Sequence, residues 1–185
     1  MGKKILAFAG STSSNSINKK LVTYACNQLK NNEFEIIDLR DFYPLPMFSV
    51  DEEEKNGYPE SIQKFKEYLD THDAFIVSLA EHNGSYSAAY KNIFDWVSRL
   101  DSKLWQNKPV LLLSTSPGGR GGKNVMNAAL NQYPHMGADI RGDFSLPFFS
   151  KNFEEGKGIS DPEMDAELRG LVEKFDSAMN YSGKN

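Results

Sequence analysis

Short apolar runs alternate along the chain with longer segments whose apolar residues recur at helical spacing. Lys4 to Ala9 is apolar and short, the pattern of a strand covered on both faces. Gly10 to Ser16 is a loop of small polar residues, followed by Ile17, Leu21, Val22, Ala25, Cys26 and Leu29 on one helical stripe. Phe34 to Leu39 reads as a second, weaker strand. Asp41 to Pro59 has no period and holds Pro44, Pro46, Gly57 and the acidic run Asp51 to Glu54, which reads as a solvated loop. Ile62, Phe65 and Leu69 mark a short helix, and Ala74 to Leu79 is a third strand by its β-branched and aromatic content. Glu81 to Ser85 is a loop, and Ala89, Ile93, Trp96, Val97 and Leu100 form a second clear stripe. Val110 to Leu113 is a fourth strand, Ser116 to Gly122 a glycine loop, Val125 to Tyr133 a helix and Asp139 to Leu146 a fifth strand. The last helix carries Met164, Leu168, Leu171, Val172, Phe175 and Met179, with Ser160 and Glu163 at capping-box spacing around Pro162.

Five strand–helix repeats predict an α/β fold, a parallel sheet with helices on both faces. The doubly wound order 2-1-3-4-5 suits five strands, and in such sheets ligands bind beyond the carboxyl ends of the strands. The loops after strands one, three and four are the chemically unusual ones, and this order gathers them at one sheet edge.

Length and composition narrow the classes. The 185 residues fit one domain, 1–185, and five strand–helix units leave no room for a second substrate domain. Apolar residues at 39% suffice for a packed core. A net charge of -4 argues against a nucleic-acid partner, which needs a basic footprint. A single cysteine excludes an internal disulfide and a Cys-based zinc site, and points to a reducing, cytoplasmic setting. The three histidines have no metal-ligand spacing, and no apolar run is long enough for a membrane span. Cys26 falls on an apolar stripe and reads as core rather than nucleophile.

The loops then carry the candidate chemistry. Gly10 to Ser16 joins a buried strand to a helix N-terminus, where unpaired amides and the positive dipole end favour phosphate. Ordinary N-capping by Ser14, Asn15 or Ser16 explains the same residues without a ligand. The loop is neither a Walker motif nor GxGxxG. Asn83-Gly84 tolerates positive φ, either to aim backbone amides at a flat heterocycle or simply to turn the chain. Four glycines between Gly118 and Gly122 let backbone approach a ligand closely, and Arg120 among them is available to an anionic group.

Taken together these segments resemble the NADPH-dependent FMN reductase family over about residues 4 to 150. Gly10-Ser11-Thr12-Ser13-Ser14-Asn15-Ser16-Ile17-Asn18 is similar to that family's phosphate loop. Ala80-Glu81-His82-Asn83-Gly84-Ser85 with Lys91-Asn92-Ile93-Phe94-Asp95-Trp96 resembles its most specific signature, and Ser114 to Gly122 its third loop. The resemblance implies a flavodoxin-like three-layer sandwich, a homodimer or homotetramer, with FMN bound and NADPH or NADH as donor. It places Ser11, Ser13, Ser16, Ile17 and Asn18 at the FMN phosphate. Glu81, His82, Asn83 and Gly84 would line the isoalloxazine ring, with Ser116 and Gly119 approaching the flavin from the third loop and Arg120 placed to meet a nicotinamide phosphate. It implies hydride transfer from the nicotinamide to the flavin and onward reduction of a small-molecule acceptor, with no classical catalytic residue. A flavin-binding electron carrier or storage protein is the alternative. Two positions depart from the family: Ser13 stands where arginine is usual, and Ala80-Glu81-His82 where Pro-Glu-Tyr is usual. Both departures weaken the expected hold on FMN.

Overall fold

The structure, a computed structural model, describes residues 2–179. In chain order, β1 (Lys4–Ala9), α1 (Ile17–Cys26) and β2 (Glu33–Ile37) form the first unit. α2 (Val50–Asn56) and α3 (Glu60–Thr71) lead to β3 (Ala74–His82), the short return strand β4 (Ser85–Tyr86) and α4 (Ala88–Leu100). β5 (Pro109–Thr115), α5 (Lys123–Gln132) and β6 (Asp139–Leu146) follow. A one-turn helix α6 (Phe149–Asn152), a small hairpin of β7 (Phe153–Glu154) and β8 (Gly158–Ile159), and the long α7 (Pro162–Ala178) complete the chain.

The parallel strands lie in the order β2-β1-β3-β5-β6. That is the 2-1-3-4-5 arrangement expected from the sequence, with one addition. β4 pairs antiparallel with the end of β3, so the segment read as a loop is a hairpin that adds a sixth strand.

Alternate residues of each strand point to opposite faces, and the core divides accordingly. Leu6, Phe8, Phe75, Val77, Val110 and Leu112 pack with residues of α3, α4 and α5. Ile5, Ala7, Ala74, Ile76, Leu111 and Leu113 pack with residues of α1 and α7. The result is a three-layer sandwich in which the central strands are buried on both faces. β2 lies at the edge and is largely exposed, which explains its weaker apolar signal.

Two local readings change. The acidic run Asp51 to Glu54 is not a loop but the body of α2. The Ser49 side chain caps that helix by accepting from the Glu52 amide at 3.1 Å, and the acids sit at its positive end. The cap of α7 is Asp161, not Ser160. The Asp161 carboxylate accepts from the Glu163 and Met164 amides, both at 3.0 Å. Among the described residues no helix is long and apolar enough to cross a membrane.

Candidate functional site

The first loop leaves β1 at the carboxyl edge of the sheet, where the Gly10 amide donates to Ser78 O at 2.8 Å. Ser16 caps α1, its hydroxyl accepting from the Lys19 amide at 3.2 Å. One capping side chain does not satisfy a helix N-terminus. Among the described residues, the amides of Ile17 and Asn18 in the first helical turn have no acceptor, and neither do those of Thr12, Ser14 and Asn15. Capping and anion binding are therefore not competing readings here; Ser16 performs the first and leaves donors for the second. The Ser11 hydroxyl accepts from the Ser13 amide at 3.2 Å, which curls the loop around these donors.

Asn18 departs from its expected role at a phosphate. Its side chain is buried, and all of its polar capacity faces the protein. Nδ2 donates to Thr115 O at 3.1 Å, and Oδ1 accepts from the Thr115 amide at 3.0 Å and the Ser78 hydroxyl at 2.8 Å. Only its backbone amide remains for a ligand. The side chain instead ties the start of α1 to the ends of β3 and β5.

The second loop turns on Asn83 (φ 52°) and Gly84 (φ 78°). Positive φ at both central residues is what a two-residue hairpin with matched twist requires. Glu81 pairs with Tyr86 and His82 with Ser85 across this hairpin. The Glu81 carboxylate points to α5, where it accepts from the Asn124 and Val125 amides at 2.9 and 3.0 Å. His82 is exposed at the strand end.

The third loop is braced by the segment after β6. Phe148 N donates to Gly118 O at 3.0 Å and Phe149 N to Ser116 O at 3.1 Å. Gly119 lies so close beneath the Phe148 ring that an added Cβ would stand 2.7 Å from it. Phe148 is 43% exposed, but Phe149 is buried in the core. The Arg120 side chain is exposed and, among the described residues, has no partner.

These segments enclose a cleft of about 180 Å³. Ser11, Ser13, Ser16, Ile17 and Asn18 line one side of it, with Glu81, His82 and Ser116 opposite. Asn15, Ala80, Thr115 and Pro117 also line it, in addition to the residues that the sequence places at the cofactor. Asn83, Gly84, Gly119 and Arg120 do not reach the cleft wall; they sit on the adjacent exposed hairpin tip and glycine loop. Among the described residues, no lysine or arginine lines the cleft. The nearby Lys19 and Lys20 are engaged elsewhere, with Asp38 at 2.5 Å and Glu155 at 3.3 Å. A larger groove of about 570 Å³ runs along the outer side of α1 beside Tyr24, Phe153 and Arg169. None of the residues that line the cleft lines this groove, and its cations are paired with Asp38, Glu155, Glu154 and Asp165.

A profile of the NADPH-dependent FMN reductase family matches residues 3–151. The chain belongs to this family. A NAD(P)H:quinone oxidoreductase of Solanum tuberosum is 29% identical over 189 aligned positions, covering 98% of this chain and 95% of that protein. A NADPH:quinone oxidoreductase of Arabidopsis thaliana is 30% identical over 125 residues, covering 65% of this chain and 62% of that protein. Among solved structures, FerB, a flavoenzyme NAD(P)H:(acceptor) oxidoreductase from Paracoccus denitrificans, superposes with a TM-score of 0.76 at 25% identity. That match covers 96% of this chain and 97% of FerB.

Membership in the FMN reductase family makes the chain an oxidoreductase of flavodoxin-like fold, with FMN and NADPH or NADH as its cofactors. The residues present fit that cofactor. A curl of unpartnered amides and two serine hydroxyls is a donor set for a phosphate monoester. The open side toward the hairpin and glycine loop leaves room for a planar ring. The Asn18 clamp went unread in the sequence, although a signal was there. Asn18, Leu21, Val22 and Ala25 share one helical face, so a polar side chain stands at the head of a buried stripe and needs buried partners.

Proposed function

We propose that the protein is an FMN-dependent NAD(P)H oxidoreductase whose FMN occupies the cleft at the carboxyl edge of the sheet. The observation that carries this reading is the set of acceptor-free amides at Thr12, Ser14, Asn15, Ile17 and Asn18 beside the Ser11 and Ser13 hydroxyls. These donors bind the phosphate without any cationic side chain. Asn18 holds them in place through β3 and β5. The backbone around Glu81 to Gly84 orients the ring edge, and Ser116 with Gly119 closes on it from the third loop. When bound, FMN supplies the two-electron chemistry, accepting a hydride equivalent from NADPH or NADH and reducing a second substrate. No acid or base from the chain is required. Arg120, exposed and unpartnered beside the cleft, is suited to a nicotinamide phosphate. The acceptor is a small molecule of the quinone or flavin class, as the names of the relatives indicate. The whole chain acts as one cytoplasmic domain in a homodimer or homotetramer, with a partner subunit helping to cover the open side of the cleft.

Reconstitution tests the reading. The purified chain should take up FMN, seen as quenching of flavin fluorescence, and anaerobic NADPH or NADH should bleach the flavin absorbance. Added quinone should restore it. A chain without FMN affinity would overturn the proposal, and bound flavin that neither nicotinamide bleaches would make it an electron carrier.

A further inference from the structure

We propose that Glu81 is a positioning residue that locks the second loop to the third through the N-terminus of α5, and that its charge there tunes the flavin site. Helix α5 starts after Gly122 (φ 84°), which has no side chain to cap it. The first turn of any helix leaves amides without intrahelical acceptors. In α1, α2, α4 and α7 a local side chain meets part of that need: Ser16, Ser49, Ser87 and Asp161. In α5 the Lys123 amide donates to Arg120 O and the Met126 amide to Gly122 O, both at 3.0 Å. The two amides between them, Asn124 and Val125, are met by Glu81 Oε2. Glu81 Oε1 accepts from Asn124 Nδ2 at 3.3 Å. A carboxylate more than forty positions earlier in the chain is thus the cap of α5.

The placement joins both sides of the cleft. Glu81 is pinned by its pairing with Tyr86 beside the Asn83-Gly84 turn. The glycine loop from Ser116 runs directly into α5, so fixing the helix start fixes the loop's exit. Movement of either loop therefore requires breaking the carboxylate's bonds to α5. The charge matters as well. A helix N-terminus carries roughly half a positive charge, and among the described residues no lysine or arginine lines the cleft to add to it. The Glu81 carboxylate cancels that pole at the cleft wall. Two-electron reduction of a flavin adds negative charge at its pyrimidine end, so the cancelled pole keeps the potential lower than an uncapped helix would.

Two variants separate position from charge. Glu81→Ala should speed amide hydrogen exchange at residues 123–126 in FMN-free protein and weaken FMN binding about tenfold, the scale of one lost charge-assisted bond. Glu81→Gln keeps an acceptor oxygen in the same shape. It should restore most of the exchange protection, while the midpoint potential of bound FMN moves positive of wild type. Unchanged exchange at residues 123–126 in Glu81→Ala would overturn the clamp. A potential in Glu81→Gln that is unchanged or more negative would overturn the charge role. The charge role rests on the FMN reading, whereas exchange in the FMN-free chain does not. A wild-type chain that binds no FMN would therefore sink that reading and the charge role together, with the clamp still decided by exchange.

Discussion

Ser13 is exposed at the mouth of a cleft that no lysine or arginine lines among the described residues, in a protein of net charge -4. An anionic phosphate there is held by amides and hydroxyls alone, against the mean field of the molecule. Ser13→Arg should therefore tighten FMN binding by about tenfold at low ionic strength, with the gain shrinking as salt screens the new pair. Fluorescence titration at two salt concentrations checks this; equal affinity for both proteins would place the phosphate elsewhere. Asn18 offers the complementary test. Removing its side chain leaves the Ser78 hydroxyl and both backbone groups of Thr115 buried without their partner. Asn18→Ala should lower the urea-unfolding free energy by about 2–3 kcal/mol, the penalty for stranding buried polar groups. A loss below about 1 kcal/mol would mean that the clamp is not structural. The residue types at the cleft were legible in the sequence because short hydroxyls and amides between a strand and a helix serve a helix N-terminus, as a cap at Ser16 and as donors around it. The direction in which Asn18 and Glu81 point was not, because each bonds to groups more than forty positions away.

Helix α7 turns on a one-residue difference in its cap. Ser160 and Glu163 have the spacing of a capping box, but the carboxylate of Asp161 meets the two amides. Asp161→Ala should cost about 1 kcal/mol of stability and Ser160→Ala only a few tenths. The reverse order in thermal unfolding would return the cap to Ser160. The strand–helix alternation was legible because β1, β3 and β5 are buried on both faces and leave continuous apolar runs. β2 was fainter because an edge strand buries little. α2 left no period at all, since none of its residues is buried. Its only signal was Ser49 three positions before Glu52, a cap pattern without the apolar stripe that normally follows it. β4 was hidden for a different reason. Two residues cannot show alternation, so the Asn83-Gly84 turn was visible while the strand it returns was not.

At the scale of the whole molecule, groups held away from their unfolded protonation behaviour set the pH range of stability. The Arg40 guanidinium beside Asp38, helped by Lys19 and opposed by partial burial, holds the Asp38 carboxyl well below the usual carboxylate range. Its folded value is lower than its unfolded one. It therefore adds stability above the ordinary carboxylate range, and that contribution is lost as pH falls from about 4 through the folded value. Cys26 works in the opposite direction. Burial in the core between α1 and the sheet pushes its thiol up to about 12. Its contribution is complete below the unfolded thiol value of about 8.5 and declines as pH rises toward 12. Burial likewise pushes Tyr86 up to about 12, so its loss begins near pH 10, above that of the thiol. The urea midpoint should therefore be flat between about pH 5 and 8 and fall on both sides, the alkaline fall starting with Cys26. Asp38→Asn should flatten the acid limb and leave the alkaline one. Cys26→Ala should lower the whole curve, because it empties part of a packed core, yet make the fall between pH 9 and 10 shallower. An alkaline slope unchanged by Cys26→Ala would assign that limb to the tyrosines. A thiol reagent gives an independent reading: native protein at pH 8 should react only after urea unfolds it, since the buried thiol is neither ionised nor accessible.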